Sequence, residues 1–153
     1  MPPQSDTLYQ SIMKIRYRKY ENKDLIALKG LMLELGYSVE QSELNENINE
    51  ILKRDGAILI AEENSEIIGS VCVLIDVRLA EGISAEIVSL VVSAKSRRKG
   101  VGKALVKEAE KWASYRVKKI RVRANEIRVS AHAFYQNQGY DHIKSQKIFI
   151  KKV

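Results

Sequence analysis

The chain has 153 residues, of which 45% are hydrophobic, and its formal net charge is +7 at pH 7. These values suit one α/β or α+β domain with a sizeable core. No apolar run approaches the roughly 18 residues of a membrane-spanning helix, and the first residues lack the regions of a signal peptide. We therefore expect a cytoplasmic protein.

The first half of the chain predicts a strand, two helices and a hairpin. Residues 1–12 are polar and without pattern, so we expect a disordered leader followed by one domain over residues 13–153. A strand is predicted in "KIRYRKY", a helix from Asp24 to Gly36, and a second helix from Ser38 or Ser42 to Arg54. The segments "AILIAEE" and "IIGSVCVLID" flank Asn64 and Ser65 and predict an antiparallel hairpin.

The second half predicts the remaining elements of a mixed sheet. A strand, "AEIVSLVV", precedes an amphipathic helix from Val101 to Tyr115, and "KKIRVRA" has the alternation of a strand. A short helix over residues 130–138 and a last strand, "SQKIFIKKV", complete the chain. This order predicts one α/β (α+β) domain, with a central mixed sheet flanked by helices on both faces.

Charge is unevenly distributed along the chain. Residues 31–52 contain no Lys or Arg, so this window carries −5, which leaves +12 for the rest. Its acidic residues are Glu34, Glu40, Glu43, Glu46 and Glu50. Two interpretations are open: the window binds a cationic ligand, or its glutamates are solvated surface charge, which explains many such asymmetries.

The segment "RRKGVG", Arg97 to Gly102, places three cations at the predicted start of a helix. The start of a helix is the positive end of its dipole, so cations there indicate that an anion binds. A triphosphate loop needs glycine at position 97 and Ser or Thr at position 104, where the chain has Arg97 and Ala104. A dinucleotide fingerprint needs a small residue at position 105, where the chain has Leu105.

The remaining pattern is RxxGxG, formed by Arg97, Gly100 and Gly102 between a strand and a helix. Here the sequence resembles the GNAT superfamily of N-acetyltransferases, of bacterial type, whose pyrophosphate-binding motif has this form. "AEIVSLVVSAKSRRKGVGKALVKEAEKWA" resembles the family's fourth strand, loop and third helix, and "RVSAHAFYQNQGY" resembles its tyrosine-bearing motif. Ala94 and Ser96 depart from the common proline and aromatic residue, and the usual glycine after the long helix is absent at "SYRVKK".

The resemblance implies acetyl-CoA (coenzyme A) as the cofactor and a primary amine as the acceptor. It implies that backbone groups of Leu90, Val91 and Val92 bind the cofactor, together with the loop after this strand and the start of the following helix. Two residues further along the chain are expected to add contacts. The loop residues are Arg97, Arg98, Lys99, Gly100, Val101, Gly102 and Lys103, and the downstream residues are Asn125 and His132. A solvated basic loop is the alternative for the cations.

The chemistry of acetyl transfer needs a proton acceptor for the amine and a proton donor for the leaving thiolate. Tyr135 matches the family's tyrosine and is the expected acid, which would also contact the cofactor; packing beside Phe134 is the alternative. Glu86 is the candidate base, acting through water. In the absence of a bulge it shares an apolar face with Val88, Leu90 and Val92; the alternative is a solvated strand end.

Cys72 could suggest a covalent route, but its apolar strand favours packing, and a single cysteine forms no internal disulfide. No metal site is expected, because the only histidines are His132 and His142. The family resemblance implies an acceptor site built by the first two helices and the loop between Val77 and Ser84.

The expected partners are a small-molecule or protein amine, cationic if the acidic window binds it, and a second copy in a homodimer; membrane and nucleic acid are not expected. Two other functions stay open. A nucleic-acid-binding module would use Lys119, Arg121, Arg123 and Arg128 together with the Arg97 cluster, and a CoA-binding sensor would lack catalysis.

Overall fold

The computed structural model describes residues 15–153. It divides into two units, whose described parts are residues 15–122 and residues 123–153. The predicted leader, residues 1–12, lies outside the described residues.

The first unit is built on a five-stranded sheet whose strands follow one another in chain order. The strands are β1 (Ile15–Lys19), β2 (Ala57–Glu63), β3 (Glu66–Arg78), β4 (Gly82–Val92) and β5 (Ile120–Val122). Strands β1 to β4 pair antiparallel, and β5 pairs parallel to β4, so the predicted mixed sheet is confirmed. Asn64 and Ser65 have φ of 50° and 65°, as a two-residue hairpin turn between β2 and β3 requires.

Three helices of the first unit cover the two faces of the sheet. They are α1 (Leu25–Glu34), α2 (Gln41–Lys53) and α3 (Val101–Ser114). Helices α1 and α2 cover one face, where their buried side chains meet those of β2, β3 and β4; the cluster is Leu28, Leu31, Leu44, Ile48, Ile58, Ile60, Cys72 and Val91. Helix α3 covers the other face and buries Val101, Leu105 and Ala109.

The second unit contains one helix, α4 (Val129–Asn137), one residue away from each predicted end. Gly139 follows it with φ of 91°, the left-handed conformation of a helix stop.

Two predicted strands differ from the structure. Strand β5 has only three residues, although the alternation of "KKIRVRA" extends over seven. Residues 140–153 form neither helix nor strand, and Ile148, Phe149 and Ile150 are exposed. Strand propensity depends on a partner strand and a packed face, which an apolar run in the sequence does not specify.

Within residues 15–153, no helix has both the length and the apolar character needed to cross a membrane.

Gly69 on β3 leaves no room for a side chain between the neighbouring strand β4 and helix α3. A Cβ atom there would lie 2.9 Å from the carbonyl oxygen of Val91 and 3.1 Å from Cδ1 of Leu105. We expect Gly69→Ala to lower the free energy of unfolding by about 1–3 kcal/mol, because backbone and helix must move apart. Urea unfolding measures this change.

The matched control is Gly30→Ala in the middle of α1, where an added Cβ meets no atom within 4 Å. This change should raise the free energy of unfolding by roughly 0.5–1 kcal/mol, since alanine favours the helix. Equal stability of Gly69→Ala and the wild type would contradict the close approach.

Cys72 lies in the core beneath α1 and α2, with 7% of its surface exposed, and burial raises the pKa of its thiol to about 12. The thiolate is the reactive form, so we expect a thiol reagent at pH 8 to label the folded protein at least about a hundredfold more slowly than the unfolded protein. Absorbance of the released chromophore measures both rates. Fast labelling of the folded protein would contradict this packing.

Candidate active site

A β-bulge interrupts β4 at Val88. On the neighbouring strand, Cys72 pairs with Ser89 whereas Val73 pairs with Ile87, so Val88 is the extra residue. Such a bulge shifts the alternation of side chains by one position. Glu86 therefore lies on the sheet face of Ser89 and of the buried Val91, which α1 and α2 cover.

This is the opposite face of the sheet from the one expected for Glu86, which without the bulge would share the face of Val88, Leu90 and Val92. Both faces carry apolar side chains, and at Glu86 the neighbouring strand β5 adds a polar partner. Nε of Arg121 on β5 donates a hydrogen bond to Oε1 of Glu86 over 3.0 Å. The carboxyl group is shielded, with 13% of the side chain exposed.

The edge of β4 beyond the bulge is open on the side of β5. Strand β5 pairs only with Ala85, Glu86 and Ile87. Among residues 15–122, no strand pairs with that side of residues 88–92, while the other side of residues 89–92 pairs with β3. Backbone groups of Leu90, Val91 and Val92 can therefore accept an extended ligand as an added strand.

The loop after β4 ends in two left-handed residues directly before α3. Arg98 has φ of 66° and Gly100 has φ of 75°, and no side chain caps the helix at Gly100. The first N–H groups of a helix have no partner within the helix, so the amides at Val101, Gly102 and Lys103 are donors for an anion. An added Cβ at Gly100 would meet no protein atom within 4 Å.

The cations around this loop are exposed, and two of them are ion-paired. Nζ of Lys99 lies 3.3 Å from a carboxylate oxygen of Glu63, and Lys95 pairs with Glu66, which raises the pKa of that lysine. Nε of Arg97 donates to the carbonyl oxygen of Val92 over 3.5 Å. The loop thus joins free amides to a positive surface, as a diphosphate requires.

Arg121 bonds to two further carboxylates besides that of Glu86. Its Nη2 lies 2.5 Å from Oδ2 of Asp76, and its Nη1 lies 3.3 Å from Oε2 of Glu81. Burial opposes the charge of Arg121, but the bonds to Asp76 and Glu86 outweigh it and raise the pKa of the guanidinium. Arg78 and Arg121 together lower the pKa of Asp76.

This network could not be found from the sequence. The sequence pattern indicated Arg121 only as a candidate nucleic-acid contact, and it indicated no role for the side chains of Asp76 and Glu81. The one signal in the sequence was a basic residue in a predicted strand. Its partners depend on the parallel register that pairs Glu86 with Arg121, and a single sequence does not contain that register.

Tyr135 lies on α4 in the second unit, between two aromatic rings. Its ring packs edge-on against Phe134, with centroids 5.1 Å apart, and against Tyr140, with centroids 5.8 Å apart. Burial raises the pKa of its phenol above the usual 10.0, although nearby Arg128 opposes the shift. The phenol is therefore protonated at neutral pH and can donate a proton.

Asn125 and His132, the two downstream candidates for cofactor binding, lie together in the second unit. Nε2 of His132 donates to the backbone carbonyl of Asn125 over 2.8 Å, and the side chain of Asn125 accepts a bond from the amide of Ile127. These bonds fix the start of α4, which carries Tyr135.

The five acidic residues of the charge window are exposed. Oε1 of Glu34 accepts a hydrogen bond from the amide of Ala94 over 3.5 Å, and Glu50 pairs with Arg54. Glu34 therefore lies beside the loop, whereas Glu43 and Glu46 lie on the exposed side of α2.

Two of the cations expected on a nucleic-acid-binding surface, Arg121 and Lys119, are engaged in contacts within the protein. The guanidinium of Arg121 is bonded to three carboxylates, and Nζ of Lys119 donates to the carbonyl oxygen of Glu81. A phosphate backbone would have to displace these partners, which weakens this interpretation.

Comparisons with known proteins agree with this geometry. Residues 13–140 match the model of the acetyltransferase (GNAT) family. Among curated proteins, no sequence matches this chain significantly.

Solved acetyltransferase structures share the fold at low sequence identity. An aminoglycoside 6′-N-acetyltransferase of Acinetobacter haemolyticus is 19% identical, with a TM-score of 0.78 over 90% of this chain and 99% of that one. The glucosamine-6-phosphate N-acetyltransferase of Arabidopsis thaliana is 23% identical, with a TM-score of 0.72 over 91% and 97%. AAC(6')-Iy, bound to the bisubstrate analogue CoA-S-monomethyl-acetylneamine, is 18% identical, with a TM-score of 0.80 over 91% and 99%.

The open edge of β4, the uncapped start of α3 and a family match over most of the chain lead to one assignment. This protein belongs to the GNAT acetyltransferase family and is an acyltransferase.

Proposed function

We propose that the protein transfers the acetyl group of acetyl-CoA directly to a primary amine. The observation that carries the proposal is the loop between β4 and α3, where left-handed Arg98 and Gly100 precede a helix start without a side-chain cap. The family match supports acetyl transfer in general, and members of this family bind acetyl-CoA.

The residues present fit this cofactor at both of its ends. The open space at Gly100 and the amides of residues 98–102 suit a diphosphate, and the exposed side chains of Arg97, Arg98, Lys99 and Lys103 add positive charge. The open edge of β4 suits an extended arm bonded to Leu90, Val91 and Val92. Further contacts from Asn125 and His132 are proposed on the family resemblance alone.

Acetyl-CoA supplies, when bound, an acetyl group activated as a thioester. Glu86 takes a proton from the amine through a water molecule while the new C–N bond forms. Tyr135 gives its phenolic proton to the sulfur as the C–S bond breaks. Packing of its ring against Phe134 and Tyr140, which restricts the position of the phenol, supports this role for Tyr135.

The acceptor is a small molecule or a protein, and we propose that it is cationic. The name of one structural neighbour is that of an aminoglycoside acetyltransferase, and the name of another is that of a glucosamine-6-phosphate acetyltransferase. Support within this chain comes from the exposed glutamates of α1 and α2, one of which lies beside the loop. A homodimer is proposed on the basis of the family resemblance alone.

Tyr135→Phe tests the reaction. We expect it to lower kcat by about a hundredfold, because the leaving sulfur loses its proton donor, while the Kd for acetyl-CoA changes by less than about twofold. A panel of amines, followed by the release of free thiol, measures turnover, and calorimetry measures cofactor binding.

Tyr115→Phe is the matched control, since Tyr115 is 79% exposed at the end of α3. Undiminished turnover of Tyr135→Phe would refute the assigned acid. Absence of heat with acetyl-CoA in the folded wild type would refute the function, and oligonucleotide binding with steep salt dependence would then favour a nucleic-acid module. Cofactor binding without turnover on any amine would indicate a sensor.

Charge reversal of α2 tests the cationic acceptor. We expect the double change Glu43→Lys and Glu46→Lys to raise the KM of cationic amines about threefold to tenfold and to leave neutral amines unaffected, because the local potential changes sign. Initial rates at low ionic strength measure this difference.

Asp141→Lys serves as the control, because it reverses an exposed charge outside the window. Equal KM values for cationic amines in all three proteins would remove the acidic window from the site.

A further inference from the structure

Arg121 spans three strands of the sheet with one side chain. It stands on β5, in register with Glu86 on β4, and its guanidinium reaches Asp76 on β3. The β3–β4 turn contributes a third carboxylate, from Glu81. We call the group of Asp76, Glu81 and Arg121 the β5 clamp.

Each nitrogen of the guanidinium has a different carboxylate partner. Nη2 bonds to Asp76 and Nη1 to Glu81, which leaves Nε to donate to Oε1 of Glu86 over 3.0 Å. A guanidinium is a rigid planar fork, so two partners fix the direction of its third bond. Arg121 is 21% exposed and Glu86 13%, so the bond is shielded from solvent.

We propose that Arg121 is a positioning residue, which holds the carboxylate of Glu86 in the orientation that receives the amine proton through water. This inference rests on the proposed function, in which Glu86 is the base. Arg121 contacts neither the acceptor nor the cofactor in this scheme and acts through Glu86 alone.

The backbone of Glu86 is paired on both sides, with Leu74 on β3 and with Arg121 on β5, but its side chain is not fixed by this pairing. A glutamate side chain has three rotatable bonds, so its carboxylate needs a further contact to take one orientation. Proton transfer requires the carboxylate to lie in a defined position relative to the water and the amine. A displacement of a reacting group by about 1 Å lowers the rate roughly a hundredfold. The bond from Arg121 supplies this constraint from a neighbouring strand.

The alternative role of the β5 clamp is to attach the short strand β5 to the sheet. A double-mutant cycle separates the two roles, because an effect exerted through Glu86 disappears when Glu86 no longer acts as a base. Glu86→Gln suits the cycle, since its amide oxygen still accepts the bond from Arg121 but cannot take the proton.

The experiment measures kcat and KM for the best amine in Arg121→Gln, Arg121→Lys, Glu86→Gln and the double variant of Arg121→Gln with Glu86→Gln. We expect Arg121→Gln to lower kcat by about tenfold to a hundredfold, with KM and the acetyl-CoA Kd nearly unchanged. Arg121→Lys should recover part of the loss. In the Glu86→Gln background, Arg121→Gln should cost less than about twofold.

Arg16→Gln is the matched control, because Arg16 also forms a cross-strand pair with a glutamate, Glu62, but is 66% exposed on β1. Asp76→Asn tests the same role if Arg121→Gln does not fold. It removes the charge of one carboxylate that holds the guanidinium in place, while Arg121 itself stays positively charged. It should lower kcat in the Glu86 protein and have no further effect in the Glu86→Gln background.

The positioning role would be overturned if Arg121→Gln lowered kcat by the same factor with and without Glu86→Gln. The same holds for Asp76→Asn where it replaces Arg121→Gln. Attachment of β5 to the sheet would then be the explanation. Wild-type activity would still stand in that case. A wild type that binds no acetyl-CoA would overturn the proposed function itself, so the two failures are distinguishable.

Discussion

Side chains alternate between the two faces of a sheet. The extra residue at Val88 therefore puts the side chains before it in β4 on the opposite faces from those they would have in a regular strand. Before the bulge, β4 pairs with β5 and turns Glu86 toward Arg121. Beyond it, the same strand presents an open edge that leads into the loop before α3. The proposed base and the proposed cofactor surface thus belong to one continuous strand whose two parts have different partners.

The start of α3 gathers positive charge where the peptide dipoles already point their positive end. Left-handed backbone at Arg98 and Gly100 turns the chain so that Val101 can begin the helix and bury its side chain. This geometry leaves amides without a partner inside the helix, beside exposed cations of which Lys95 and Lys99 are already paired with glutamates. An anion bound there would meet both the amides and a positive surface, which connects the local backbone to the family's chemistry.

Much of the sheet and most helices could be predicted from the sequence, because their signals are local. The Asn64–Ser65 turn, the periodicity of Leu28 and Leu31, and the glycines of the loop each identify their element without its partners. The strand β4 and the loop between it and α3 could also be predicted, whereas their role in cofactor binding stays a prediction from the family resemblance.

What the sequence could not provide depends on pairing between distant segments. The face expected for Glu86 assumed a strand without a bulge, and the bulge at Val88 has no residue signature. The contacts of Arg121 with Asp76 and Glu81 join residues 40 or more positions apart. The last predicted strand failed for the same reason, since Ile148 and Phe149 have strand propensity but no strand partner among the described residues.

Glu63 and Glu66, on the hairpin that joins β2 and β3, hold Lys99 and Lys95 beside the loop. A phosphate bound at this loop would therefore exchange one set of counter-charges for another and would not neutralise unpaired lysines. Fewer ions would then be released to the solvent than there are cations around the loop. Affinity for the proposed cofactor would accordingly fall less steeply with ionic strength than the local composition implies, because the hairpin already supplies the counter-charges.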